Sequence, residues 1–211
     1  MIETNGIHNC RHLFQLILIH TVVTSNSAAE LPCGIIRSQG MFTSQSCVFA
    51  VNYQARSLAP QKASKDRHRF LVGTCSLHDS NELSVLEYHE NSNQIEATAI
   101  YSHPDQIWSI EPSPNDTDLV ITSSQSSRGE KSLILWRMPN QGADDLEESS
   151  APVGDKLNLI KESTFAISDR TTLVQNIKWH HTQNKILTAD SDAISLWSVG
   201  DSSAKVFVTI L

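Results

Sequence analysis

Three constellations in this 211-residue chain have residue types suited to chemistry. The first is the adjacent pair His180–His181. Neighbouring residues on a strand point to opposite faces, so a joint metal site there needs a turn and further ligands. The second is His8, Cys10 and His12, which would share one face of a strand. A metal there would need a fourth ligand and an ordered leader, and the sequence offers neither. The third is Cys75 with His78 three positions on. A thiol nucleophile needs a base held by a third, orienting group, and none is evident. There is no G-x-S-x-G, no H-E-x-x-H and no phosphate-cradling glycine loop, and only eight glycines to build one. The sequence therefore assigns no catalytic, cofactor-binding or metal-binding residues, and the chain is expected not to be an enzyme. Asn115–Asp116–Thr117 fits the N-glycosylation pattern, which matters only in a secreted chain.

Composition narrows the partners. Net charge is −7 with no basic stripe, so duplex nucleic acid is excluded as a partner, because phosphate binding needs clustered Lys and Arg. Asp144, Asp145, Glu147 and Glu148 concentrate the acidity in what reads as a solvated loop. The four cysteines, Cys10, Cys33, Cys47 and Cys75, form no C-x-x-C pair and fall within the first 75 residues. They read as free thiols of a reducing compartment.

Residues 1–40 differ from the rest and read as a leader, disordered or spurious. Leu13 to Thr24 is apolar but shorter than the roughly 20 residues that span a bilayer. With Ser27–Ala28–Ala29 behind it, segment 13–29 is signal-like, although Glu3 precedes it and Arg11 is the one firm positive charge there. Met41 stands just before the first recognisable strand, Cys47 to Tyr53.

The elements that would position any site come from a weak threefold repeat. Leu71–Val72–Gly73–Thr74 leads after fourteen positions to Tyr88. Leu119–Val120–Ile121–Thr122 leads after fourteen to Trp136, and Lys185–Ile186–Leu187–Thr188 after nine to Trp197. Thr74 to Thr122, and Tyr88 to Trp136, are each 48 residues apart. Paired short strands at such a period, each closed by an aromatic, predict propeller blades. The closing aromatics are expected in the core. Pro60 and five Lys or Arg residues make Arg56 to Arg69 a predicted loop. Asp79–Ser80–Asn81, Pro112 to Asp116 and Asp190–Ser191–Asp192 carry turn chemistry. His103 lies 33 residues before Trp136, the relation of the Gly-His and Trp-Asp pairs of WD repeats, with Ser102 and Arg137 replacing the Gly and the Asp. Pro139 to Asp155 lacks periodicity and reads as a mobile surface insertion, the candidate partner-contact loop. Leu157 to Ile160 resumes as an outer strand, and Val206 to Leu211 looks like the opening strand of a fourth unit.

The fold class predicted over 41–211 is thus all-β, a partial WD40-type β-propeller of about three blades plus one strand. Rings of roughly four to eight blades protect their edges by closing. Three cannot close, so the expectation is a truncated product of a longer gene, or a ring completed by another chain.

Two strings carry a more specific likeness. Asn52–Tyr53–Gln54–Ala55–Arg56–Ser57–Leu58–Ala59–Pro60–Gln61 and Arg69–Phe70–Leu71–Val72–Gly73–Thr74–Cys75–Ser76–Leu77 resemble the opening of a eukaryotic WD-repeat family. Its members interact with the EARP and GARP endosomal tethering complexes. Gln106–Ile107–Trp108–Ser109–Ile110, Pro112–Ser113–Pro114 and Leu135–Trp136–Arg137–Met138–Pro139 fit as well. The likeness covers about residues 47–211, roughly the first half of a family member. It implies a seven-bladed propeller without catalysis, acting as an adaptor in endosome-to-Golgi retrieval, endosomal recycling and dense-core vesicle cargo sorting. It implies a cytoplasmic protein whose partners, the tethering subunits, recruit it to the trans-Golgi network and endosomes, so membrane association is indirect. The alternatives are a secreted or lumenal β-domain, motivated by Leu13 to Ala29, and a half-propeller without independent activity.

Overall fold

In the computed structural model the described residues are 47–139, 156–167, 173–191 and 193–199, with 204–210 described in backbone alone. The leader 1–40 and the acidic stretch within the insertion lie outside them. Thirteen strands run β1 Ala55–Pro60, β2 His68–Thr74, β3 Asn81–His89, β4 Gln94–His103, β5 Gln106–Pro112, β6 Leu119–Gln125, β7 Lys131–Arg137, β8 Leu157–Asn158, β9 Ile160–Phe165, β10 Asn176–Trp179, β11 Lys185–Ala189, β12 Ile194–Val199 and β13 Ala204–Ile210. They form three antiparallel meanders, β1-β2-β3-β4, β5-β6-β7-β9 and β10-β11-β12-β13, with β8 added in parallel to β4. Between the first two sheets, Leu71, Leu83, Val85 and Tyr101 pack on Ile107, Val120 and Trp136. Between the second and third, Ile121, Leu133 and Leu135 pack on Ile177, Ile186 and Trp197. Stacked four-stranded meanders with apolar faces between them are consecutive propeller blades, so the predicted fold class holds.

Packing between the first two sheets leaves no room at Gly73. A Cβ there would lie 2.6 Å from Ile107 Cγ2 and 2.7 Å from Ile110 Cδ1. Glycine is thus required by the close approach of the sheets.

Five predicted placements need correction. Cys47 to Val51 is not a strand; Cys47, Phe49 and Val51 instead cover Val72, Leu86 and Ile95 on the first sheet. The predicted loop at Arg56 contains β1, because Ser57 and Ala59 alternate inward and Pro60 ends an edge strand, where no ladder donor is lost. The loop proper is Gln61–Arg67. Leu157 to Ile160 is divided: β8 joins the first sheet, and β9 is the outer strand of the second. The final run does not open a fourth unit, since β13 pairs antiparallel with β12 as the outer strand of the third sheet.

The fifth correction concerns register. In each sheet the outer ladder carries a one-residue bulge, opposite Val85/Leu86, Leu135/Trp136 and Leu196/Trp197. Leu86, not Tyr88, is therefore the counterpart of Trp136, and Val72, not Thr74, that of Thr122. The first two sheets are offset by 50 residues rather than 48. Trp136 and Trp197 are buried as expected, whereas Tyr88 is half-buried, its hydroxyl 3.2 Å from Asn93 Oδ1.

Candidate interaction site

The sheets are held in place by polar side chains set at repeated positions. In the second sheet Trp136 Nε1 donates to Thr122 Oγ1 at 2.9 Å, and His103 Nε2 lies 3.1 Å from the same oxygen. His103 Nδ1 lies 2.7 Å from the Asp105 carbonyl and 3.2 Å from the Asp105 amide; with the proton on Nδ1, the shorter contact is a hydrogen bond and Nε2 accepts from the Thr122 hydroxyl. Burial holds the imidazole neutral, with its pKa lowered to about 4, opposed in part by the Asp105 backbone contact. The third sheet repeats the donor and acceptor, Trp197 Nε1 to Thr188 Oγ1 at 2.8 Å. There Phe165 meets the indole edge-on at 5.3 Å, much as His103 meets Trp136 at 5.4 Å. In the first sheet Val72 and Leu86 occupy these positions as an apolar pair.

The inner strands are stitched by charge. Glu111 on β5 is buried, with Lys178 on β10 at 3.2 Å and Lys62 beyond β1 at 3.9 Å, so one carboxylate ties all three sheets. Arg56 and Trp108 are the bulged residues of β1 and β5, and the guanidinium lies 3.9 Å over the indole ring. At the periphery both ends of the insertion return to one place. Tyr101 Oη donates to the Pro139 carbonyl at 2.6 Å, and Tyr101 pairs with Leu157. Lys156 meets buried Glu82 at 2.8 Å.

The two constellations that fall on described residues do not assemble into a site. His180 and His181 stack at 4.7 Å in the exposed β10–β11 turn, where His180 Nδ1 accepts from the Thr182 and Gln183 amides. Cys75 Sγ lies 3.9 Å from Gln106 Oε1, and burial pushes its thiol pKa up, away from thiolate character. His78 is exposed. His8, Cys10 and His12 lie outside the described residues. Among the described residues no three His, Cys, Asp or Glu side chains are grouped to hold a metal ion, and no helix is long and apolar enough to cross a membrane.

A groove of about 530 Å³ lies on the second sheet. It lies between the β6–β7 hairpin and β9, and Asp105 from the β4–β5 turn closes one side. Half-buried Ile167 gives it an apolar wall, buried Ile134 and Phe165 underlie it, and Glu130 and Lys161 stand at its margin. Sequence reasoning missed this groove, because its residues come from four separate segments with no shared spacing.

Three stacked meanders, two of them with an indole–hydroxyl pair, define a segment of a WD-type β-propeller. The sequence profile of the EIPR1 beta-propeller family matches residues 43–206, and the chain belongs to that family. It is 29% identical over 164 residues to EARP and GARP complex-interacting protein 1 of Rattus norvegicus, covering 75% of this chain and 42% of the relative. Against the Homo sapiens protein of the same name it is 27% identical over 166 residues, with the same coverage. Against WD repeat-containing protein DWA2 of Arabidopsis thaliana it is 27% identical over 161 residues, covering 74% and 42%. The chain thus spans well under half the length of these relatives.

Proposed function

We propose that this protein is a non-enzymatic WD-repeat adaptor that binds subunits of the EARP and GARP tethering complexes. It serves endosome-to-Golgi retrieval and endosomal recycling from the cytoplasm. The trans-Golgi network and endosomes recruit it through those subunits, without direct insertion into the bilayer. The observation that carries this reading is the family match over 43–206, joined to relatives named for interaction with these complexes. Its physical support is a rigid stack of sheets held by buried networks, a scaffold for binding rather than a reacting centre. The test is capture of purified EARP and GARP subunits by the immobilised chain. Retention above a bead control is the expected result, and no retention of any subunit rejects the reading.

A second reading, a half-propeller without independent binding, draws on the apolar outer face of the third sheet. Cooperative thermal unfolding of the isolated chain together with subunit capture would exclude it.

A further inference from the structure

We propose that the groove between the β6–β7 hairpin and β9 receives an extended segment of a partner protein bearing one lysine or arginine. The cationic head sits between Asp105 and Glu130, and its methylene stem lies against Ile167. This names a contact surface for the adaptor reading above, and it rests on that reading for the partner's identity.

The argument begins with charge. Glu82, Glu87, Glu111 and Glu162 each meet a lysine or arginine within the structure. Asp105 and Glu130 differ: among the described residues neither forms an ion pair, yet both line one concavity. The Asp105 carboxyl is pushed up by burial first and by the charge of Glu130 second, so the two groups sense each other across the groove. A cation placed between them relieves that repulsion.

Shape and chemistry of the walls then narrow the ligand. The apolar wall suits the long stem of lysine or arginine, which buries its methylenes while the head stays with the carboxylates. A small cation would leave that wall wet. Lys131 and Lys161 line the β7 and β9 side, which disfavours a run of positive charges. A single basic residue in an otherwise neutral or acidic segment fits both ends. The segment should be extended because the groove follows β9, the last hydrogen-bonded strand of its sheet.

The experiment compares the wild-type chain with the double substitution Asp105→Asn, Glu130→Gln in binding to purified EARP and GARP subunits. The double variant should bind about tenfold more weakly and lose most of its salt dependence. Glu96→Gln, on the first sheet, should bind as wild type. Matched melting curves guard against unfolding, and Glu130→Gln alone, at an exposed turn, serves if the double variant melts early. Wild-type binding with an unaffected variant discards the groove and keeps the adaptor. If the wild-type chain captures no subunit, a second probe decides: a short blocked peptide of Ser, Thr and Val with one central arginine. It should shift the methyl resonances of Ile134 and Ile167, and the same peptide with glutamate in that place should not. No shift with the arginine peptide overturns the proposal.

Discussion

His103 shows how much one buried side chain contributes to the fold. Its imidazole is neutral in the native protein, with a pKa lowered to about 4 from the usual 6.5. Between these values the unfolded chain takes up a proton that the native state refuses, so stability falls as pH drops from 6.5 towards 4. A shift of this size corresponds to at most about 3 kcal/mol at full extent. His103→Phe, copying the Phe165 arrangement of the third sheet, should flatten the dependence. Urea midpoints measured between pH 7 and 4 check this, and an unchanged slope would show that His103 does not titrate as described. The Thr122 hydroxyl would then lack its imidazole partner but keep the indole, so the variant should still fold.

At the scale of the element, the inner strands depend on a shared carboxylate. Glu111 is buried while its partners Lys62 and Lys178 are largely exposed. Each ion pair alone is therefore screened and worth roughly 0–1 kcal/mol. Lys62→Met or Lys178→Met singly should lower stability by that much. The double substitution should cost more than the two together, because it leaves a buried charge without compensation. A double-mutant cycle from chemical denaturation reads the excess, and strict additivity would contradict a common clamp.

The same scale explains what the sequence could show. Strands β2, β3, β6, β7, β11 and β12 announce themselves through apolar runs bounded by turn residues. Asp190 confirms its turn by accepting the Ala193 amide at 2.6 Å, and Ser113 by accepting those of Asn115 and Asp116. Edge strands are less legible. β1 contains a proline and the apolar run of β13 carries no mark of which sheet it joins, so their pairing follows from tertiary contacts rather than local composition. The two-residue error in register has a physical cause as well. It depends on bulges at Thr98, Glu162 and Phe207, three residues with nothing in common chemically. Once the first sheet replaced its indole–hydroxyl pair with Val72 and Leu86, Thr74 and Tyr88 were the nearest residues of the right type. The groove was illegible for a related reason, since Asp105 and Glu130 meet only after two hairpins have folded.

At the largest scale, the outer face of the third sheet repeats an interface on which, among the described residues, no further sheet packs. Ile121, Leu133 and Leu135 are 0, 0 and 4% exposed because the third sheet lies on them. By register their counterparts are Leu187, Ile194 and Leu196. Leu187 and Ile194 are 44 and 45% exposed, and Leu196 is half-buried. An apolar surface of this kind favours association with whatever apolar surface it meets. Leu187→Glu with Ile194→Lys should reduce self-association of the 211-residue chain in sedimentation measurements, and should lower its binding of an environment-sensitive dye. Equal behaviour of variant and wild type would show that the face is not sticky in solution.

That uncovered face also orders the molecule's vulnerabilities. Among the described residues the second sheet is packed on both faces and the first carries Cys47, Phe49 and Val51 on its outer face, whereas the outer face of the third leaves Leu187 and Ile194 exposed. A protease or a chaperone sampling brief openings should therefore engage the third sheet before the others. Limited digestion would release a resistant fragment containing Tyr101, Trp136 and the Glu82–Lys156 ion pair.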